Sequence, residues 1–149
     1  MRRKNLLVIL LVVVVIIAVA VAALLMGHRP VTLPEGTQEE IAAANGYVYI
    51  LAGEEARWIP LPDEPYNIRL TMTDAQGEQT VNVITLTKDS AVMSYSTCDN
   101  QDCVQQGVVT LDNKGTRPLG NMIICLPQNV GVELYSTQEV LDMLSEQAN

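Results

Sequence analysis

Tyr66-Asn67-Ile68-Arg69-Leu70-Thr71-Met72-Thr73, followed by Asp74-Ala75-Gln76-Gly77, decides the class of fold. Apolar and polar residues alternate along it. Tyr66, Ile68, Leu70 and Met72 fall on one face, and Asn67, Arg69, Thr71 and Thr73 on the other. A period of two is the mark of a half-buried strand, and Asp74–Gly77 carries turn chemistry. Beyond the turn Thr80–Thr87 alternates again, with Val81, Val83 and Thr85 on one face. Lys88-Asp89 marks a second turn and Ala91–Tyr95 a further strand. Upstream, Tyr47–Leu51 is aromatic and β-branched, Gly53–Glu55 reads as a turn, and Arg57–Ile59 returns before Pro60 and Pro62. Short strands at this spacing predict a mainly β chain, a small antiparallel sandwich or barrel.

Two helices flank the strands in this reading. Thr37-Gln-Glu-Glu40 has capping-box spacing, with Asn45-Gly46 as the stop. Ser136-Thr-Gln-Glu139, followed by Val140, Leu141 and Leu144, opens a short amphipathic C-terminal helix. The chain has one Trp, five Tyr and no Phe, so Trp58 and the tyrosines are expected to supply much of the core's bulk.

The N-terminus has another character. Leu6–Met26 is an uninterrupted apolar run of 21 residues. As a helix it would reach roughly 31 Å, against about 30 Å for a bilayer core. Arg2, Arg3 and Lys4 precede it, which by the positive-inside rule puts the N-terminus in the cytoplasm and the remainder outside. A secretory signal would carry a shorter apolar core of about 7 to 15 residues, so an uncleaved single-pass anchor is the expectation. The organisation read from this is a basic tail (1–5), a transmembrane helix (6–26), a stalk (27–45) and an extracytoplasmic β domain (46–149). The expected partner is the lipid bilayer through Leu6–Met26, with a membrane protein as a further one. The single histidine, His28, sits at the membrane edge.

After the apolar run the chain carries six basic and 17 acidic residues, a net charge of −11. Nucleic-acid binding needs a basic face to displace counterions, so no nucleic-acid partner is expected.

All three cysteines lie between Ser96 and Leu134. Local rules place Asp99 as the cap of a short helix, Asn100–Gln106, with Gly107 as its left-handed stop. Cys98 would then precede the cap and Cys103 would be the fourth helical residue, positions that meet in a hydrophobic staple. Cys125 ends an apolar strand, Met122–Cys125. Four readings follow. A structural Cys98–Cys103 disulfide with Cys125 as a buried thiol leads, because the compartment permits oxidation. The others are a different pairing through Cys125, three reduced thiols serving as small apolar residues, and a redox or metal site. Three cysteines without a neighbouring histidine lack a fourth zinc ligand, so neither a metal nor a cofactor is expected. No phosphate loop, nucleophile elbow or histidine relay occurs, and no catalytic residue is assigned. Asp99 and Asp102 read as helix residues rather than acid–base groups.

Cys98-Asp-Asn-Gln-Asp-Cys103-Val104, Gly107 and Ile123-Ile-Cys125-Leu-Pro127-Gln-Asn129-Val130 together resemble the NusG domain II family. The family pattern is a Cys, four residues, Cys-Val, a Gly, then Cys-Leu-Pro-Asn. Gln128 departs from it, standing where Asn is usual. The resemblance implies a compact all-β domain with the cysteine segment packed on it. Such domains occur as inserts in some bacterial NusG factors and alone behind membrane anchors in many Firmicutes proteins. The other NusG domains are absent, so transcription work is not implied. The expectation is a membrane-anchored extracytoplasmic binding or accessory module. The alternative is a thiol-redox or electron-transfer accessory using Cys98, Cys103 and Cys125, because some similar proteins are encoded near electron-transfer membrane systems.

Overall fold

Alternating sequence becomes two stacked sheets. The structure, a computed structural model, describes residues 12–17, 33–73 and 77–147. The chain divides into two units, Met1–Thr32 and Leu33–Asn149. In the first, residues 12–17 are helical (α1), and each of their six apolar side chains is between 46% and 61% exposed. The rest of the expected span Leu6–Met26 lies outside the described residues, as do the basic tail and His28. Among the described residues no helix is long and apolar enough to cross a membrane.

The second unit runs α2 (Gln38–Ala42), β1 (Tyr47–Ala52), β2 (Glu55–Pro60), β3 (Tyr66–Thr73), β4 (Gln79–Leu86), β5 (Ser90–Ser96), α3 (Asp102–Gln105), β6 (Val109–Thr110), β7 (Met122–Cys125), β8 (Val130–Tyr135) and α4 (Thr137–Gln147). One sheet has the order β2-β1-β8-β7, the other β3-β4-β5-β6. Every pairing is antiparallel. Neither sheet closes on itself, so of sandwich and barrel the sandwich is what forms. Residues 74–76 of the expected turn lie outside the described residues.

β8 adds a strand to those expected above, with Val130, Val132 and Leu134 alternating with Gly131, Glu133 and Tyr135. It pairs with both β1 and β7 and so joins the first hairpin to the last. Val130, Val132 and Leu134 point into the sandwich, at most 2% exposed. Gly131 interrupts the β-branched run and weakens the signal.

The face assigned to β4 needs correction. Val83 and Thr85 are only half-buried, whereas Asn82, Ile84 and Leu86 are fully buried. Pairing with β3 decides this: Ile68 stands opposite Ile84 and Leu70 opposite Asn82, so they share the inward face. A register shift between Val83 and Ile84 lets Val81 be buried as well.

The expectation for the aromatics also changes. The core between the sheets is aliphatic, with Met93 and the three cysteines, and holds no aromatic ring. Trp58 instead meets Tyr49 at 5.0 Å, Tyr135 at 5.2 Å and Tyr47 at 6.4 Å between ring centroids. Trp58, Tyr47 and Tyr135 belong to a second apolar cluster with Ile41 of α2 and Val140 of α4. Tyr66 and Tyr95 are exposed.

Both flanking helices start as expected. The Thr37 hydroxyl accepts from the Glu40 N–H while the Glu40 carboxylate accepts from the Thr37 N–H. Ser136 and Glu139 make the same reciprocal pair. Ile41 is 2% exposed, so this part of the expected stalk packs onto the domain. α2 ends at Ala43 in a right-handed conformation rather than at Asn45-Gly46. Gly46 serves close packing instead, since a Cβ there would stand 2.8 Å from the Tyr135 carbonyl oxygen.

Candidate functional site

Three separate elements deliver the cysteines to one place. Cys98 follows the end of β5, Cys103 is the second residue of α3, and Cys125 ends β7. All are buried, at 4%, 1% and 1% exposure. Their sulfurs lie within 4.8 Å of one another. The three expected site residues therefore converge.

How the corner is built differs from the expectation. α3 starts at Asp102, and Asp99 is exposed with no capping role. The residue before the helix is Gln101, which takes a left-handed conformation (φ 54°) and makes no side-chain cap. Its amide instead donates backward to the carbonyls of Ser96 and Cys98, at 2.8 and 2.5 Å. The Asn100 side chain accepts from the Asp102 N–H at 3.3 Å. The capping rule fails because Gln101 is tied to the end of β5 and shifts the helix start. Gly107 does stop the helix, at φ +72°, a conformation glycine adopts without steric cost.

The Cys98–Cys103 disulfide is likewise corrected. The two sulfurs stand 3.4 Å apart, against about 2.05 Å for a bond, and all three cysteines are free thiols. With α3 beginning later, Cys103 is not the fourth helical residue that the staple geometry requires.

Four further side chains outside the expected site set join Gln101 in holding it together. The Gln106 amide donates to the Ile124 carbonyl and accepts from the Ile124 N–H, both at 2.8 Å. It acts as a substitute strand along β7. Arg117 donates to the carbonyls of Gln106, Gly120 and Met122 at 2.9 to 3.0 Å. Gln128 accepts from Asn82 at 2.5 Å and from Ser96 at 3.4 Å, and donates to Thr97 at 2.9 Å. Ser96 accepts from the Cys98 N–H at 3.1 Å, and its oxygen lies 3.8 Å from the Cys125 sulfur. Only Gln128 carries a sequence signal, as the departure from the family pattern. The partners of the rest are set by packing.

The thiols are not equivalent. Burial pushes the Cys103 thiol up to about 12, assisted by the neighbouring Cys98 and Cys125. Burial also acts to raise Cys98. There, hydrogen bonds from Ser96, Cys103, Cys125 and the backbone of Gln101 outweigh it and hold the thiol below its ordinary value. Cys98 is thus the more readily charged of the two. A small pocket of about 170 Å³ beside Cys103 and Cys125 is lined by Asp102, Gln106, Leu126 and Pro127 among others.

The model of NusG domain II matches residues 7–138. The chain belongs to the NusG domain II family. Comparison with curated proteins gives no match. Among solved structures, the chain is similar to the Lin0431 protein of Listeria innocua, at 23% identity over 62% of this chain and 98% of that one, with a TM-score of 0.46. It is similar to a DUF1312 family protein of Enterococcus faecalis, at 15% identity over 61% and 97% of the two chains, TM-score 0.45. A DUF1312 family protein of Ruminococcus gnavus follows, at 22% identity over 61% and 99%, TM-score 0.37. In this NusG domain II chain the motif residues divide by role. The cysteines are buried, while Leu126 and Pro127 form an exposed hairpin tip at which Asn129 takes φ 50°.

Proposed function

We propose that this NusG domain II protein is a single-pass, membrane-anchored module whose β domain works outside the membrane by binding a partner rather than by catalysis. The carrying observation is the apolar run Leu6–Met26 behind Arg2, Arg3 and Lys4. The half-exposed apolar side chains of α1 support it, since such a contiguous face is unfavourable in water and natural in lipid. The acidic remainder suits an external, soluble domain rather than one that binds nucleic acid. A membrane protein is the fitting partner, because the anchor confines the domain to the membrane surface.

Topology tests this. In intact cells, external protease should remove a C-terminal tag and leave an N-terminal tag protected, and alkaline carbonate should not release the chain. A C-terminal tag cut only after permeabilisation, or a mature chain lacking the apolar run, would sink the proposal.

A thiol-redox role rests on the 3.4 Å approach of Cys98 to Cys103. The three cysteines are at most 4% exposed, which hinders an attacking thiol that must reach sulfur directly, and this reading takes second place.

A further inference from the structure

The three sulfurs surround a common point. With Cys98 and Cys103 3.4 Å apart and all three within 4.8 Å, the point equidistant from them is about 2.6 Å or less from each. Metal–thiolate bonds of this class are about 2.3 Å long. Three thiolates at that length around one ion stand about 4.0 Å apart, so the Cys98–Cys103 pair would open by roughly 0.6 Å and the longer separations would close by up to about 0.8 Å.

We propose that Cys98, Cys103 and Cys125 together bind one monovalent copper ion as a three-coordinate thiolate site. This deepens the binding-module reading by naming a ligand, and it does not depend on the membrane anchor.

Softness, coordination number and burial each select the ion. Thiolates favour soft cations, namely Cu(I), zinc and iron–sulfur centres. Among the described residues no histidine, aspartate or glutamate joins the three sulfurs. Structural zinc takes four protein ligands, and the expectation of no metal rests on that count. Cu(I) is satisfied by three. The cysteines also belong to the aliphatic core with Met93 and Ile123, while the small pocket beside Cys103 and Cys125 reaches the set from outside.

The surroundings hold the ligands in place before an ion arrives. Gln101 ties the Cys98 segment to β5, Gln106 ties α3 to β7, and Gln128 ties the β7–β8 turn to Ser96 and Asn82. The three cysteines are thus fixed relative to one another by bonds outside the sulfur set. Each sulfur that coordinates as thiolate releases one proton, so Cu⁺ exchanges for up to three protons and no electron moves.

The test uses the full chain in detergent micelles, reduced and freed of reductant without oxygen. Copper is delivered as Cu(I) on a bicinchoninate chelator. Native mass spectrometry should show one copper per chain, with the mass of the released protons missing. X-ray absorption at the copper edge should show three sulfur neighbours at about 2.3 Å. Cys98→Ser, Cys103→Ser and Cys125→Ser should each weaken retention at least tenfold. Where a variant loses its circular dichroism spectrum, the wild-type stoichiometry and sulfur count decide. Copper left on the chelator, two sulfur neighbours, retention unchanged in Cys125→Ser, or tighter holding of zinc than of copper in the same assay would each overturn the proposal. Because the measurement is made in micelles, a cytoplasmic location found for the domain would sink the anchor reading and leave this one standing.

Discussion

Two helix-on-sheet regions of the domain are built by opposite means. On the outer face of the first sheet, α2 and α4 begin at capping boxes and rest on Trp58 and its tyrosines. At the cysteine corner, α3 has no side-chain cap and is held by polar side chains reaching backbone groups on other elements. The first region is local chemistry plus apolar burial. The second is a lattice of specific hydrogen bonds around three buried thiols. The difference teaches that a short helix needs no favourable terminus when distant amides fix its ends.

The strand between the regions offers the strongest way to break both. Leu134 is fully buried in the sandwich, and Tyr135 beside it packs on Trp58. Leu134→Ala should cost about 3 kcal/mol and lower a single urea transition that fluorescence of Trp58 and circular dichroism report together. Two separated transitions would mean that the regions unfold independently.

Gln106→Ala strikes the corner alone. It orphans the N–H and carbonyl of Ile124 and should cost about 2 kcal/mol. Amide exchange should rise at Ile124 and Val104 and stay unchanged in α4. Equal exchange in both helices would remove the distinction drawn between them.

Caps sharpen the contrast at smaller magnitude. Ser136→Ala should cost about 1 kcal/mol through loss of a working capping box. Asp99→Ala, at the cap position that sequence rules favour, should stay within about 0.5 kcal/mol. A larger loss at Asp99 than at Ser136 in urea melts would restore the sequence-based assignment.

Opposite pH limits should separate the regions by the smallest effects. Burial would raise the Glu139 carboxyl, but hydrogen bonds from Lys114 and Ser136 outweigh it and hold it below the usual carboxylate range. A depressed carboxyl stabilises the fold above its unfolded value, and that contribution fades as pH falls below about 4.5. Cys103 runs the other way. Between about 9 and 12 the unfolded chain has lost the thiol proton and the folded chain keeps it, so stability falls as pH rises. Cys98, depressed, adds stability as pH climbs toward its ordinary value and nothing beyond it. Urea midpoints should therefore drop in alkali by an amount that Cys103→Ser removes. An identical drop in that variant would assign the loss elsewhere.

Much of the fold is legible because its cause is local. β3 has the bounds its alternation implies, β7 likewise, and both capping boxes form. The inward face of β4 is not, because alternation alone does not say which side is buried when Asn82 shares the face with Ile84 and Leu86. β8 keeps its alternation, but Gly131 breaks its β-branched run. At the site, the identity of the cysteines follows from the motif, while Gln101, Gln106 and Arg117 do not. Their partners are backbone carbonyls and amides, which leave no mark on sequence.

By itself, then, the sequence determined the strand-rich class, the family, the apolar N-terminal run and the three residues of the corner. These depend on side-chain period, composition and spacing along the chain. Only the tertiary structure decided which face of each strand is buried, that the aromatics cover the outside of a sheet, where α3 begins, and that three reduced sulfurs meet at one point. Each of those depends on what packs opposite, and a residue's own neighbours in sequence do not specify that.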